Sequence, residues 1–194
     1  MIKEDYIHIF PPNAVFSVGQ SCTDPYTIDL NDQSLDPDHW EWTFSDGDTV
    51  NGPSPAPHTF DSTGEYTVGL TVLDTVSGCR KEETKTFTIT DPKASFTADT
   101  TIGCAPLSVS FIDSSQDADG YQWITDSNSF NGANPSFTYQ EPGIYDVQLI
   151  ITDQNGCKDT MMRNNYITVN GPAPGFSATP TDGCAPMTVQ FNDS

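Results

Sequence analysis

The chain has 194 residues and a formal charge of −20, with 27 acidic against seven basic side chains, so it lacks the basic surface that binds a nucleic-acid backbone. Aromatic residues make up 11% of it, too many for a disordered acidic tail, which places the charge on a folded surface. No apolar run approaches the roughly 18–20 residues that span a bilayer, and no membrane insertion is expected of this segment.

The chain opens on Met1-Ile2-Lys3-Glu4-Asp5-Tyr6-Ile7-His8-Ile9, which lacks the apolar stretch of a signal peptide. Its Tyr-Ile ending returns in Tyr166-Ile167-Thr168-Val169, so residues 1–10 are expected to be the last strand of a preceding repeat. Short strands are then predicted over residues 14–18 (A), 26–31 (B), 39–44 (C), 57–60 (E), 65–74 (F) and 81–90 (G), with an undefined stretch between C and E. The clearest is strand F, where strict alternation puts Tyr66, Val68, Leu70 and Val72 on one face. The spacers are turn-formers, among them Ser45-Asp46-Gly47-Asp48, Asn51-Gly52-Pro53 and Val76-Ser77-Gly78.

The F pattern returns 79 residues on, as Gly143-Ile144-Tyr145-Asp146-Val147-Gln148-Leu149. Phe16, Phe96 and Phe176 lie 80 apart, Trp123 follows Trp42 by 81, and Gly103-Cys104-Ala105-Pro106 recurs as Gly183-Cys184-Ala185-Pro186. A fixed period determines architecture before any motif does. The layout is residues 1–10 as the tail of one repeat, 11–91 and 92–170 as full repeats, and 171–194 as the truncated start of another.

Evenly spaced short strands in a unit of about 80 residues predict an all-β fold of tandem immunoglobulin-like β-sandwiches. Trp42 and Trp123 on strand C are read as core residues, and so are Tyr66 and Tyr145, which stand where a tyrosine corner ties the E–F turn. The same reading turns Trp40 away from the core. Proline stiffens the joints Thr90-Asp91-Pro92-Lys93 and Asn170-Gly171-Pro172-Ala173-Pro174, which predicts a head-to-tail rod.

Trp42-Thr43-Phe44-Ser45-Asp46-Gly47, Pro57-His58-Thr59-Phe60 and Gly64-Glu65-Tyr66-Thr67-Val68 together resemble the pattern of a PKD (polycystic kidney disease) domain. The Gly-Cys-Ala-Pro openings and the Asn155-Gly156-Cys157 turn are similar to PKD repeats in long surface proteins of Bacteroidota, some of them adhesins of gliding bacteria exported by type 9 secretion. The second repeat departs from the pattern: Ile124-Thr125-Asp126-Ser127 follows Trp123, so the Phe and the glycine turn are missing. The resemblance implies a non-catalytic stalk or filament segment of a secreted or cell-surface adhesin. PKD modules also accompany secreted hydrolases, which is the alternative, and a calcium-dependent interaction module is a third. The implied partners are neighbouring repeats of the same chain, other filament subunits, and surface glycans or proteins.

Each full repeat carries one cysteine before strand B (Cys22, Cys104) and one in the F–G turn (Cys79, Cys157), and Cys184 opens the next. Paired usage in such a chain points to an oxidising, extracellular setting. Sequential pairing, Cys22–Cys79 and Cys104–Cys157, is one arrangement. Topology favours another, because the A–B turn lies where the chain leaves a sandwich and the F–G turn where it comes in, about 30 Å apart. A disulfide needs Cα atoms within about 7 Å. A head-to-tail array would instead face Cys22 with Cys157, leaving Cys79, Cys104 and Cys184 for partners outside the chain.

No catalytic residue is expected. His8, His39 and His58 share no position across repeats, and no Gly-x-Ser-x-Gly, His-Glu-x-x-His or P-loop pattern occurs. No cofactor is required, and the one metal considered is Ca²⁺, with Asp46 and Asp48 of the C–C′ turn converging at a joint with Asp117, Asp119 and Asp153. Asp-(Ser/Thr) triplets at Thr49, Ser62, Thr75, Thr100 and Thr160 resemble O-glycosylation sites of Bacteroidota surface proteins.

Overall fold

In the computed structural model, residues 12–126, 128–172 and 175–193 are described. The expected strand at residues 1–10, with His8, lies outside the described residues, as do Ala173 and Pro174 of the second joint. Among the described residues every regular element is a strand. Two compact units result. One holds the described chain up to Lys93 with Gln116–Asp119 and Ile151–Asp159; the other holds Ala94–Ser115, Gly120–Ile150 and the described chain from Thr160 onward.

The first unit is built from β1 (Phe16–Gln20), β2 (Thr27–Asp32), β3 (His39–Phe44), β4 (Thr49–Asn51), β5 (His58–Thr59), β6 (Gly64–Asp74) and β7 (Cys79–Ile89). They form a three-stranded sheet β1-β2-β5 and a four-stranded sheet β4-β3-β6-β7. Alternation explains the packing: β3 pairs Trp42 with Leu70 and Phe44 with Val68, and these side chains point the same way into one core. Trp42 is fully buried, packs edge-on to Phe16 from the opposite sheet, and donates its indole N–H to the Gly52 carbonyl at 2.9 Å. The undefined stretch between C and E resolves into β4.

Trp40 corrects the sequence reading. Two residues from Trp42 on the same strand, it shares the inward face, packs against the core half-buried, and donates its indole N–H to Asp32 at 2.8 Å. Tyr66 and Tyr145 are also half-buried, not interior. Their hydroxyls donate to the backbone carbonyls of Ser62 (3.0 Å) and Glu141 (2.8 Å), four residues upstream in both repeats, which ties the E–F turn.

The second repeat continues with β8 (Phe96–Ala98), β9 (Ile102–Cys104), β10 (Leu107–Asp113), β11 (Gly120–Thr125), β12 (Asn128–Asn131), β13 (Ser136–Tyr139), β14 (Gly143–Thr152) and β15 (Lys158–Asn170). The sheets are β13-β10-β8 and β12-β11-β14-β15-β9, with β9 parallel to the end of β15. Trp123 is fully buried, and Phe96 and Phe111 pack on it from the facing sheet. The missing Phe of this repeat has a structural substitute. Thr125 stands two residues past Trp123 as Phe44 stands past Trp42, and its buried hydroxyl pairs with the Tyr139 hydroxyl at 2.9 Å. β16 (Phe176–Thr179) and β17 (Gln190–Asp193) form a hairpin whose Phe176 and Phe191 lie exposed at the positions of buried Phe96 and Phe111.

Trp42→Ala is expected to lower stability by about 3–5 kcal/mol, the usual cost of emptying a core aromatic site. Trp40→Ala, at the margin of the same core, is expected to cost less than half as much. Urea unfolding followed by far-ultraviolet circular dichroism measures both, and equal losses would contradict this placement.

Candidate functional site

The best-built polar assembly centres on the turn Asp153-Gln154-Asn155-Gly156-Cys157. An Asp can cap its own turn by accepting from backbone N–H groups that follow it. Here Asp153 Oδ1 accepts from the N–H of Asn155 (2.9 Å) and of Cys157 (2.8 Å), and Gly156 supplies the φ of 86° that the turn requires. Asp153 Oδ2 accepts the Thr90 hydroxyl at 2.6 Å. Asp153 is 5% exposed and Thr90 7%, so these bonds are shielded from water.

Asn155 extends the network. Its side-chain amide donates to the Thr88 carbonyl (3.0 Å), to the Thr90 hydroxyl oxygen (2.7 Å) and to Gln20 Oε1. Gln20 in turn donates to the carbonyls of Pro25 (2.7 Å) and Thr90. Cys22 lies two residues on and is joined to Cys157 by a disulfide with Cα atoms 5.2 Å apart, closing a sequence separation of 135. All of these residues fall within the first compact unit. Nearby, the Asp91 N–H donates to Asp117 Oδ2 (3.2 Å), and Lys93 forms a two-bond bridge with Gln116. Cys79, Cys104 and Cys184 carry free thiols.

The five aspartates considered for calcium are not brought to one point. Asp153 spends its oxygens on the turn and on Thr90, and Asp117 is bonded to the Asp91 N–H. Asp119 uses its N–H on the Thr152 carbonyl. Among the described residues, the one cluster with ligand spacing is Asp46, Asp48 and His58, its donor atoms within 4.8 Å of one another. Calcium takes six to eight oxygen ligands. An imidazole in the set fits it poorly, and His58 Nε2 is already 2.7 Å from Asp46 Oδ2.

His58 is instead a buried brace. Its ring stacks on Phe44 at 3.7 Å and meets Phe60 edge-on, while Asp46 holds its far nitrogen and so fastens the C–C′ turn. Burial pushes the Asp46 carboxyl up, but the His58 hydrogen bond, the Asp48 N–H and the His58 charge outweigh it and hold the carboxyl below its ordinary value of 3.8. A lowered carboxylate pKa adds stability above the unfolded value and loses it as pH falls through the lowered one. His39 is exposed at the start of β3. Of the glycosylation candidates, Thr49, Ser62, Thr75 and Thr160 are exposed and Thr100 is half-buried.

The Gln20–Thr88–Thr90–Asn155 network went unread in the sequence, where these are ordinary polar residues of strand ends and turns. The one available signal was the Asp-x-Asn-Gly-Cys spacing of the turn.

A family model described as PKD domain matches residues 11–91 and again residues 89–169. Among solved structures, the fibronectin(III)-like modules of Clostridium thermocellum CbhA share 15% identity, with a TM-score of 0.46, over 81% of this chain and 95% of theirs. Domains 7, 8 and 9 of the S-layer protein SbsC share 12% identity, with a TM-score of 0.25, over 81% of this chain and 61% of theirs.

Two outcomes follow from the geometry. Asp153→Ala leaves two backbone N–H groups and the Thr90 hydroxyl without their acceptor, at about 1–3 kcal/mol for shielded donors. Amide exchange at Asn155 and Cys157 should accelerate by roughly tenfold or more. Asp46→Asn should lower stability at neutral pH by no more than about 1 kcal/mol, because the pair is partly solvent-screened. That difference should shrink as pH falls below the ordinary 3.8 and through the lowered value, where the wild-type carboxyl takes up its proton too; a difference that persists in acid would show that packing, not charge, is responsible.

Proposed function

The chain belongs to the PKD-domain family, and from that footing we propose that it is a non-catalytic, load-bearing spacer of a secreted or cell-surface protein, the stalk or filament segment of an adhesin. The observation that carries this reading is the Cys22–Cys157 bond. Tension applied through the two chain ends passes along β1, crosses the disulfide and leaves along β15. The span between the two cysteines, which holds Trp42 and Trp123, lies off that path and cannot be drawn out while the bond is intact.

Such a spacer keeps its length under load without depending on the strength of its hydrophobic cores. A disulfide in this role persists in an oxidising compartment, which supports a place outside the cytosol. The acidic surface, with a net charge of −20, supports solubility and resists unspecific association at a cell surface. The closed span also restricts the unfolded chain, which by loop entropy is worth about 5 kcal/mol at this separation.

Single-molecule stretching through the chain ends tests the proposal. Under oxidising conditions, complete unfolding should release only the chain outside the disulfide. Reduction should add roughly 450–490 Å for the span of 135 residues, at about 3.3–3.6 Å per residue. An oxidised chain that releases its full length would refute the load-bearing role.

A further inference from the structure

The Cys22–Cys157 bond joins two local structures, and each occurs again in the chain with its cysteine free. The first is the F–G turn. In the second repeat Asp153 caps it, Gly156 takes a φ of 86°, and Cys157 leads into β15. In the first repeat Asp74 does the capping, accepting from the N–H of Val76 (2.9 Å) and Ser77 (3.2 Å) and from the Ser77 hydroxyl (2.8 Å). Gly78 takes a φ of 73° and Cys79 opens β7. The two turns differ by one residue in length and present their cysteines at the same point of the hairpin.

The second is the A–B segment. Cys22 follows Gln20, whose side chain is bonded to Thr90 at the end of the G strand. Cys104 ends β9, which runs parallel to the end of β15 and places Cys104 opposite Asn170. The Ala105 N–H donates to the Asn170 carbonyl at 2.9 Å, and Asn170 is the counterpart of Thr90 one period later. Cys104 is therefore held beside the outgoing strand of its own sandwich, as Cys22 is, with its side chain exposed. Cys184 repeats the Gly-Cys-Ala-Pro sequence of Cys104 and is likewise exposed.

A free thiol alone says little. Here the same two settings are already bonded to one another elsewhere in the chain, which identifies what each is shaped to receive. We propose that Cys79 and Cys104 are the two open halves of this coupling and that the coupling has a fixed polarity. An F–G-turn cysteine bonds an A–B cysteine of another PKD repeat, and not a cysteine of its own kind. A second copy of this chain presents both halves and can serve as the partner. The inference rests on the reading of the chain as a load-bearing spacer and extends its covalent path beyond one pair of repeats.

The bond forms by two exchanges with a disulfide donor. One cysteine thiolate attacks the donor disulfide and expels one donor thiolate; the partner thiolate then attacks the mixed disulfide and expels the other. The two protein thiols lose two protons and two electrons, and the donor is reduced to two thiols.

Two variants of the whole chain isolate the halves: Cys104→Ser with Cys184→Ser leaves Cys79 free, and Cys79→Ser with Cys184→Ser leaves Cys104 free. Each is activated as a thiopyridyl mixed disulfide and offered to the thiol form of itself and of the other, with thiopyridone release giving the rate. Rates with glutathione correct for the intrinsic reactivity of each thiol. Unlike pairs are expected to react at least roughly tenfold faster than like pairs, as about 1.4 kcal/mol of complementary docking gives. The linked dimer should yield a Cys79–Cys104 peptide. Equal rates for like and unlike pairs overturn the proposal, since that is the behaviour of two merely accessible thiols. Both variants keep Cys22 and Cys157, so a chain that shields its span under load but shows no pairing preference loses only this inference.

Discussion

The pairing of β6 with β7 along their whole length, from Gly64 opposite Ile89 to Asp74 opposite Cys79, is the constraint on which the disulfide chemistry depends. Eleven residues of extended strand, at about 3.4 Å each, hold the two ends of this ribbon roughly 34 Å apart. Cys79 stands at one end and Thr90 just past the other. Gln20 is bonded to Thr90, so Cys22, two residues on, is held at the Thr90 end. No side-chain rotation spans the remaining distance, because a disulfide tolerates only about 7 Å between Cα atoms. The hairpin thus forbids a bridge between Cys22 and Cys79, and Cys22 is bonded to Cys157 instead.

Much of this was legible in the sequence because a strand writes its burial with a period of two. The strand containing Tyr66 and Val72, the burial of Trp42 and Trp123, and the placement of the turns all follow from that period and from the 80-residue repeat. Trp40 shows how the same rule misleads when the counting slips: residues two apart on a strand share a face, so Trp40 had to lie with Trp42. The polar network at Cys157 was not legible for a different reason. Its bonds join residues as far apart as 63 positions (Thr90–Asp153) and 135 positions (Gln20–Asn155), and each residue reads locally as a solvated turn or strand end. Only assembly distinguishes a buried acceptor from an exposed one, and the same holds for the aspartates whose spacing suggested a shared cation.

The two repeats also show how one sandwich solves a local problem twice. In the first, Phe44 carries the stacked His58, and Asp46 anchors the imidazole. In the second, Thr125 replaces Phe44, Phe137 replaces His58 and Tyr139 replaces Phe60. A threonine hydroxyl in that interior would be costly without a partner, and the Tyr139 hydroxyl supplies it. The same repeat carries a run of near-parallel rings, Trp123 with Phe130 and Phe130 with Phe137, at interplanar angles of 8° and 6°. The turn motif lost from the second repeat therefore belonged to one packing solution and not to a site shared by both.

Charge gives the last reason for a covalent tie. With 27 acidic and seven basic residues the chain repels itself, and such repulsion varies with ionic strength over a Debye length of about 8–10 Å. Self-repulsion of this kind opposes hydrogen-bonded contacts more strongly as salt falls. The bonds of Asp153 to Thr90 and Cys157 are buried while those of Asn155 are more exposed, and polar bonds of this kind contribute about 1 kcal/mol each. A disulfide is indifferent to salt and to pH across the range in which the carboxylates titrate. In this chain the hydrogen bonds set the geometry at which Cys22 and Cys157 meet, and the bond between the sulfurs then holds that geometry under conditions in which the hydrogen bonds alone would not.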